Sequence, residues 1–92
     1  MVQSKLIEAA KSIVLDKIRE AARTQHCILI SYIDAEGVTT VREGEPYELR
    51  DGGLFMFCYR RNSIRLFKLD QILGVEVTNR RYSPRWPIRI DF

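Results

Sequence analysis

From Ser4 to Gln25 the apolar residues Leu6, Ile7, Ala10, Ile13, Val14, Ile18, Ala21 and Ala22 recur at steps of three and four. That spacing gathers them on one face of an α-helix and predicts a helix over 4–25. Ser4 is placed to cap its start. Glu8 near the beginning and Lys17, Arg19 and Arg23 near the end complement the helix macrodipole. The stripe is wide enough to lie on a core or on a second copy of the chain.

After His26 the pattern shortens to the period of strands. CILISYID is β-branched and aromatic and ends in the turn residues Asp34-Ala35-Glu36-Gly37. VTTVREGEPYELR reads as one long strand, bent or bulged where Gly44 and Pro46 interrupt it. Asp51-Gly52-Gly53 is a hairpin turn leading into the apolar strand LFMFCY. Arg60 to Ser63 form a polar turn before IRLFKL. Asp70 to Gly74 read as a tight, single-turn helical connection. GVEVTNRR is a fifth strand, with Val75 and Val77 toward the core. In the tail, Pro84 and Pro87 exclude regular helix, yet Trp86, Ile88, Ile90 and Phe92 need burial. The expected class is α+β, mainly β: an N-terminal helix followed by a five-stranded antiparallel SH3/Sm-like barrel. Closure of that barrel would remove the edge strands. A single domain over 1–92 is expected, with helix 4–25, barrel 26–81 and tail 82–92.

The length of 92 residues excludes doubly wound sheets and α/β barrels. With 46% hydrophobic and 29% charged residues, the chain is too apolar for a disordered tail. No apolar run approaches the ~18 residues of a membrane span. Met1 to Lys11 lack the apolar core of a signal peptide. A cytoplasmic protein is therefore expected. The net charge of +3 is uneven: residues 1–46 carry 6 bases and 7 acids, residues 47–92 carry 9 bases and 5 acids. Arginine outnumbers lysine 11 to 4, and its planar fork suits carboxylate, phosphate and ring stacking.

Enzymatic chemistry finds little support. The single histidine, His26, stands at a helix–strand junction, and no Ser-His-Asp logic can be assembled. No HxxxH, CxxC, phosphate loop or dinucleotide fingerprint is present. Cys27 and Cys58 lie in apolar runs and read as small core residues; with one histidine they make no closed zinc site. No cofactor and no metal are expected. Glu43 and Glu45 share a strand face only if the strand stays regular through Gly44. The informative set is the arginines, interleaved with Tyr32, Tyr47, Tyr59, Tyr82 and Trp86. Charge to hold phosphate beside rings to stack bases suits an anionic ligand or a nucleic-acid strand. Phe55, Phe57 and Phe67, at apolar strand positions, read instead as core. Arg65 inside SIRLFKL needs a partner, because an unpaired buried charge is costly; Arg42, between Val41 and Glu43, has a neighbouring acid.

From Ile30 to Trp86 the chain reads I-S-Y at 30–32, T-T-V-R at 39–42, E-P-Y at 45–47, L-F-M-F-C-Y at 54–59 and R-L-F-K-L-D-Q-I at 65–72. In order and spacing this resembles the WYL domain of bacterial regulators. There a tyrosine ends the first strand, an arginine and a Pro-Tyr pair mark the second, and Trp-Tyr-Leu opens the third. The resemblance implies an Sm-like, SH3-type barrel. It also implies a basic pocket for nucleic acid or a nucleotide-like ligand, formed here by Ser31, Tyr32, Arg42, Tyr47 and Arg65. Arg42 and Arg65 would fork to phosphate oxygens, with Tyr32 and Tyr47 giving hydroxyls or stacking faces. Three positions depart from the pattern: Leu54-Phe55-Met56 replaces the signature tripeptide, Gln71 stands for an arginine, and Val41 for a histidine. Typical members carry a winged-helix domain ahead of the barrel, whereas a single helix cannot form a helix-turn-helix. A stand-alone module is expected, with a separate DNA-binding protein as one partner; the alternative is a fragment lacking its reader domain.

Two functions follow as expectations. The first is a non-enzymatic regulatory module sensing an anion in transcriptional, stress or phage-defence control. The second is an interaction module that forms a homodimer through helix 4–25 and tail 82–92, with no small ligand.

Overall fold

The computed structural model describes the backbone of residues 2–91 and the side chains of residues 10–91. Helix α1 spans Val2–Thr24. It begins ahead of Ser4, which lies inside the first turn and not at the cap. Gln25, at φ 57°, takes the left-handed conformation that ends the helix. Strands β1 (His26–Ile33), β2 (Thr39–Arg50), β3 (Gly53–Cys58) and β4 (Ser63–Lys68) follow. A 3₁₀ turn at Leu69–Gln71 then leads into β5 (Ile72–Arg81).

The sheet has the order β4-β3-β2-β1-β5, with antiparallel neighbours throughout. It is not the closed barrel expected from the sequence. β4 and β5 end the order and do not pair with each other. The open side is served by α1, whose Val14, Ile18, Ala21 and Ala22 join Ile28, Ile30, Leu54 and Met56 in the main core. Helical packing thus replaces the hydrogen-bonded seam, and β4 keeps a free edge.

The expected bend in β2 is present. Residues 39–44 pair with β1 and residues 44–50 with β3, with a shift in register between Pro46 and Glu48. Gly44 belongs to both ladders, opposite Ile28 and Cys58. A Cβ there would run into the Phe57 carbonyl group and stand 2.8 Å from Met56 Cγ, so only glycine lets the strands cross this closely. Asp51 and Gly52, both at positive φ, form the two-residue hairpin turn.

Strand alternation separates two faces. Ile28, Ile30, Tyr32, Leu54, Met56 and Phe67 build the inner core with α1. Cys27, Tyr47, Phe57 and Tyr82 form a second cluster on the outer face. The tail covers this second cluster. The Arg89 N–H donates to the Tyr47 carbonyl at 2.6 Å and the Leu49 N–H to the Arg89 carbonyl at 3.4 Å. The tail thereby runs parallel to the part of β2 that β1 leaves free. Ile90 is buried and Ile88 half-buried, while Trp86 stays 47% exposed; Phe92 lies outside the described residues. Val75 and Val77 pack on the core as expected, as does Phe67. Phe57 is buried in the outer cluster, and Phe55 is half-buried.

Candidate functional site

The five residues singled out by sequence divide between the two faces. Arg42 stands opposite the fully buried Ile30 and Tyr32 opposite Thr40, on the inner face. Arg65 stands opposite Met56, between positions that carry inner-face side chains, and is half-buried. Ser31 and Tyr47 fall on the outer face. Ser31 lines a shallow depression with Leu29, Val41 and Glu76.

Arg42 donates from Nε to Thr40 Oγ1 at 3.1 Å. Its Nη1 is buried and has no hydrogen-bond partner. A guanidinium N–H cut off from water without an acceptor is costly, and an anionic oxygen would relieve that cost. Neither Arg42 nor Arg65 forms an ion pair among the described residues. The Tyr32 hydroxyl donates to Gln71 Oε1 at 2.9 Å and accepts from the Lys68 N–H at 3.3 Å. Its ring meets Phe67 edge-on at 5.0 Å. Tyr32 thus ties β1 to the turn after β4, and Gln71, at the family's arginine position, serves as its acceptor.

Tyr47 does not stand open to a ligand. It is 4% exposed, and its hydroxyl donates to Glu45 Oε1 at 2.6 Å while accepting from the Arg85 N–H at 2.9 Å. Glu45 is the centre of this arrangement, a carboxylate 2% exposed. It also accepts from the Tyr59 hydroxyl at 2.7 Å and from Arg85 Nε and Nη2 at 3.0 and 3.3 Å. Since the Tyr59 proton goes to Glu45, the contact at 3.2 Å with Cys27 Sγ leaves the thiol as donor. The Arg85 guanidinium lies over Phe57 at 4.1 Å, and Trp86 meets Tyr47 edge-on at 5.2 Å.

Burial works to raise the Glu45 carboxyl. The hydrogen bonds from Arg85, Tyr47 and Tyr59, with the charge of Arg85, outweigh it and hold the group below the ordinary carboxylate value. Burial, reinforced by the carboxylate beside it, pushes Tyr47 up to about 12. Burial also raises Tyr59 and Tyr82 and pushes the Cys27 thiol up. At neutral pH the tyrosines are donors, the cysteine is unionised and the Glu45 carboxylate has its oxygens engaged by Tyr47, Tyr59 and Arg85. The work of the cluster is to clamp the tail on the sheet.

Sequence reading missed this clamp. Glu45 in Gly-Glu-Pro and Arg85 in Pro-Arg-Trp each have one proline neighbour, a local signal of fixed geometry. Their pairing joins β2 to the tail across the fold, and no periodicity reports such a contact. His26, half-buried at the helix–strand junction, places Nδ1 2.8 Å from Thr24 Oγ1. Among the described residues no three metal-ligating side chains converge, and no helix is long and apolar enough to cross a membrane. Cys27 and Cys58 are both buried free thiols.

Comparison with known proteins agrees with the residue pattern. A family model described as the WYL domain matches residues 13–77. Among solved structures, the chain is similar to the proteasome accessory factor B/C (PafBC) of Arthrobacter aurescens. The TM-score is 0.69 and the identity 27%, over 79% of this chain and 13% of that one. This chain therefore corresponds to a small part of that protein's length. No curated protein matches. The order β4-β3-β2-β1-β5, the tyrosine at the end of β1, the arginine and Pro-Tyr pair of β2, and the match over most of the chain together assign it: it belongs to the WYL domain family.

Proposed function

We propose that this domain is a non-enzymatic regulatory module of bacterial transcription control. It binds an anionic ligand, a nucleotide or a single strand of nucleic acid, through Arg42 and Arg65 with Tyr32 on the inner face. The observation that carries this reading is the buried, unpartnered Nη1 of Arg42. Ser31 and Tyr47, which the resemblance also indicated, act from the other side of the sheet. Tyr47 holds the tail and supports the strand that presents Arg42.

Register favours an extended ligand. Arg65 is opposite Met56, Met56 is opposite Pro46, and Arg42 lies four residues earlier on β2. At ~3.3 Å per residue that offset is about 13 Å along the strands. Successive phosphates of an oligonucleotide offer acceptors along the whole of that offset.

A labelled oligothymidylate, titrated by fluorescence anisotropy, tests the proposal. Binding should weaken with salt, because phosphate contacts release counterions. The Arg42→Ala/Arg65→Ala variant should lose binding while its thermal transition persists. Unchanged binding in that variant would remove the pocket assignment. Salt-indifferent self-association without oligonucleotide binding would favour the dimerisation module instead.

A further inference from the structure

The free edge of β4 carries an unusual combination of groups. The Leu69 N–H donates to the Gly52 carbonyl at 3.0 Å, in step with the β3–β4 register. In an antiparallel pair the residues bonded to the neighbour alternate with those facing away. Residues 63, 65 and 67 therefore bond to β3, and the N–H and C=O of Ile64 and Leu66 point off the sheet. The Lys68 N–H follows the same alternation, turning away from β3 to the Tyr32 hydroxyl. Ile64 and Leu66 are also the residues whose large apolar side chains are exposed, at 39% and 51%. Ile64 forms one wall of a groove of about 320 Å³ whose other walls include Phe55, Trp86 and Pro87. Apolar surface thus runs inward from the edge.

The charge around this edge has one sign. From Arg60 to Lys68 there are four bases and no acid. None of these four makes an ion pair among the described residues. The nearby acids are engaged elsewhere, Asp70 with Lys11 at 2.7 Å and Glu48 and Asp51 with Arg50 at 4.0 Å.

From this juxtaposition we infer that β4 is a docking edge for an extended acidic peptide, which adds a sixth strand and alternates apolar with acidic residues. The exposed backbone groups of Ile64 and Leu66 supply the ladder. The apolar residues of the peptide continue the Ile64–Leu66 surface, and its acids, turned to the opposite face, meet Arg60 and Arg61 of the adjoining turn. A second copy of this chain is the wrong occupant: pairing β4 with β4 would set four cations against four, a recognised device against edge-to-edge association. A nucleic-acid strand fits less well, because Ile64 and Leu66 offer no ring face to stack a base and their backbone groups need a peptide ladder. Arg42 plays no part in this edge, and Arg65 projects to the inner face.

The test uses the whole chain and a short synthetic peptide alternating valine and glutamate, followed by NMR. Titration should shift the Ile64 and Leu66 amide resonances and slow their hydrogen exchange. Arg60 and Arg61 are exposed turn residues. Reversing both, Arg60→Glu and Arg61→Glu, should weaken the peptide by about tenfold. N-methylation of alternate peptide residues needs no change in the protein. It should abolish binding for the set that faces β4 and spare it for the other set. Equal binding of both methylated sets, or of a valine–lysine peptide, would overturn the inference. So would oligothymidylate shifting these amides where the peptide shifts none, or self-association that already protects them.

Discussion

Glu45 is the residue on which the outer face depends. Two tyrosine hydroxyls and a bidentate guanidinium satisfy its oxygens, and this is what makes a buried carboxylate tolerable. Glu45→Gln should cost about 2 kcal/mol in urea unfolding, from lost charge-assisted hydrogen bonds. Arg85 is half exposed, so its own contribution is discounted for solvent. Arg85→Ala should still loosen the tail, and the emission of Trp86, the single tryptophan, should shift to the red. The pH dependence follows from the lowered carboxyl. A carboxyl lower in the folded than in the unfolded chain contributes stability above its unfolded value, and that contribution is lost as pH falls through the folded value. The urea midpoint of the wild type should therefore drop more steeply below about pH 4.5 than that of Glu45→Gln. Parallel acid limbs would show that Glu45 is not held this way. The rest of this cluster was hidden in the sequence because nothing local links its members: Tyr59 and Tyr82 read as rings interleaved with arginines for an anionic ligand, and Arg85 as a basic tail residue.

At the scale of elements, the periodic signals carried well. Helix, five strands and the turn at Asp51-Gly52 are legible in the spacing of apolar residues and turn formers, while the helical connection expected over 70–74 is a 3₁₀ turn at Leu69–Gln71 and Ile72 already begins β5. Closure was not legible. Strand count and length are compatible with a closed barrel, but whether the last pair of strands joins depends on what packs over the gap, and that is a tertiary matter. Here Ile18 of α1, fully buried against the sheet, takes that place. Ile18→Ala should cost about 3 kcal/mol in chemical denaturation, a loss expected only if α1 is part of the core. Gly44 makes a complementary prediction for the β2 crossing. With no room for a Cβ beside the Phe57 carbonyl, Gly44→Ala should destabilise by about 2 kcal/mol and shift the amide resonances of Ile28 and Cys58. An unchanged midpoint would mean that the strands separate there without cost.

Over the whole molecule, charge and faces sort into separate tasks. The tail bases were expected to form part of a basic surface for an anion. Arg85 instead satisfies a buried acid, and Arg80 lies over Tyr59 at 4.2 Å with Glu43 at 3.8 Å. Among the described residues, Arg42 and Arg65 on the inner face and the cluster at the β4 edge are bases without acid partners. Sequence marked Arg42 and Arg65 by their placement inside strands and by the WYL-like pattern. It also grouped Tyr47 and Ser31 with them through the WYL-like pattern, although strand alternation sets Ser31 on the face opposite Tyr32 and the bulge in β2 turns Tyr47 outward. The central claim, that the inner-face arginines hold an anion, is tested most directly by NMR of the arginine Nε–Hε groups during titration with oligothymidylate. Arg42 and Arg65 should show saturable shifts, with Arg85 unmoved in its contact with Glu45. Binding that shifts other arginines and leaves Arg42 and Arg65 unchanged would contradict it.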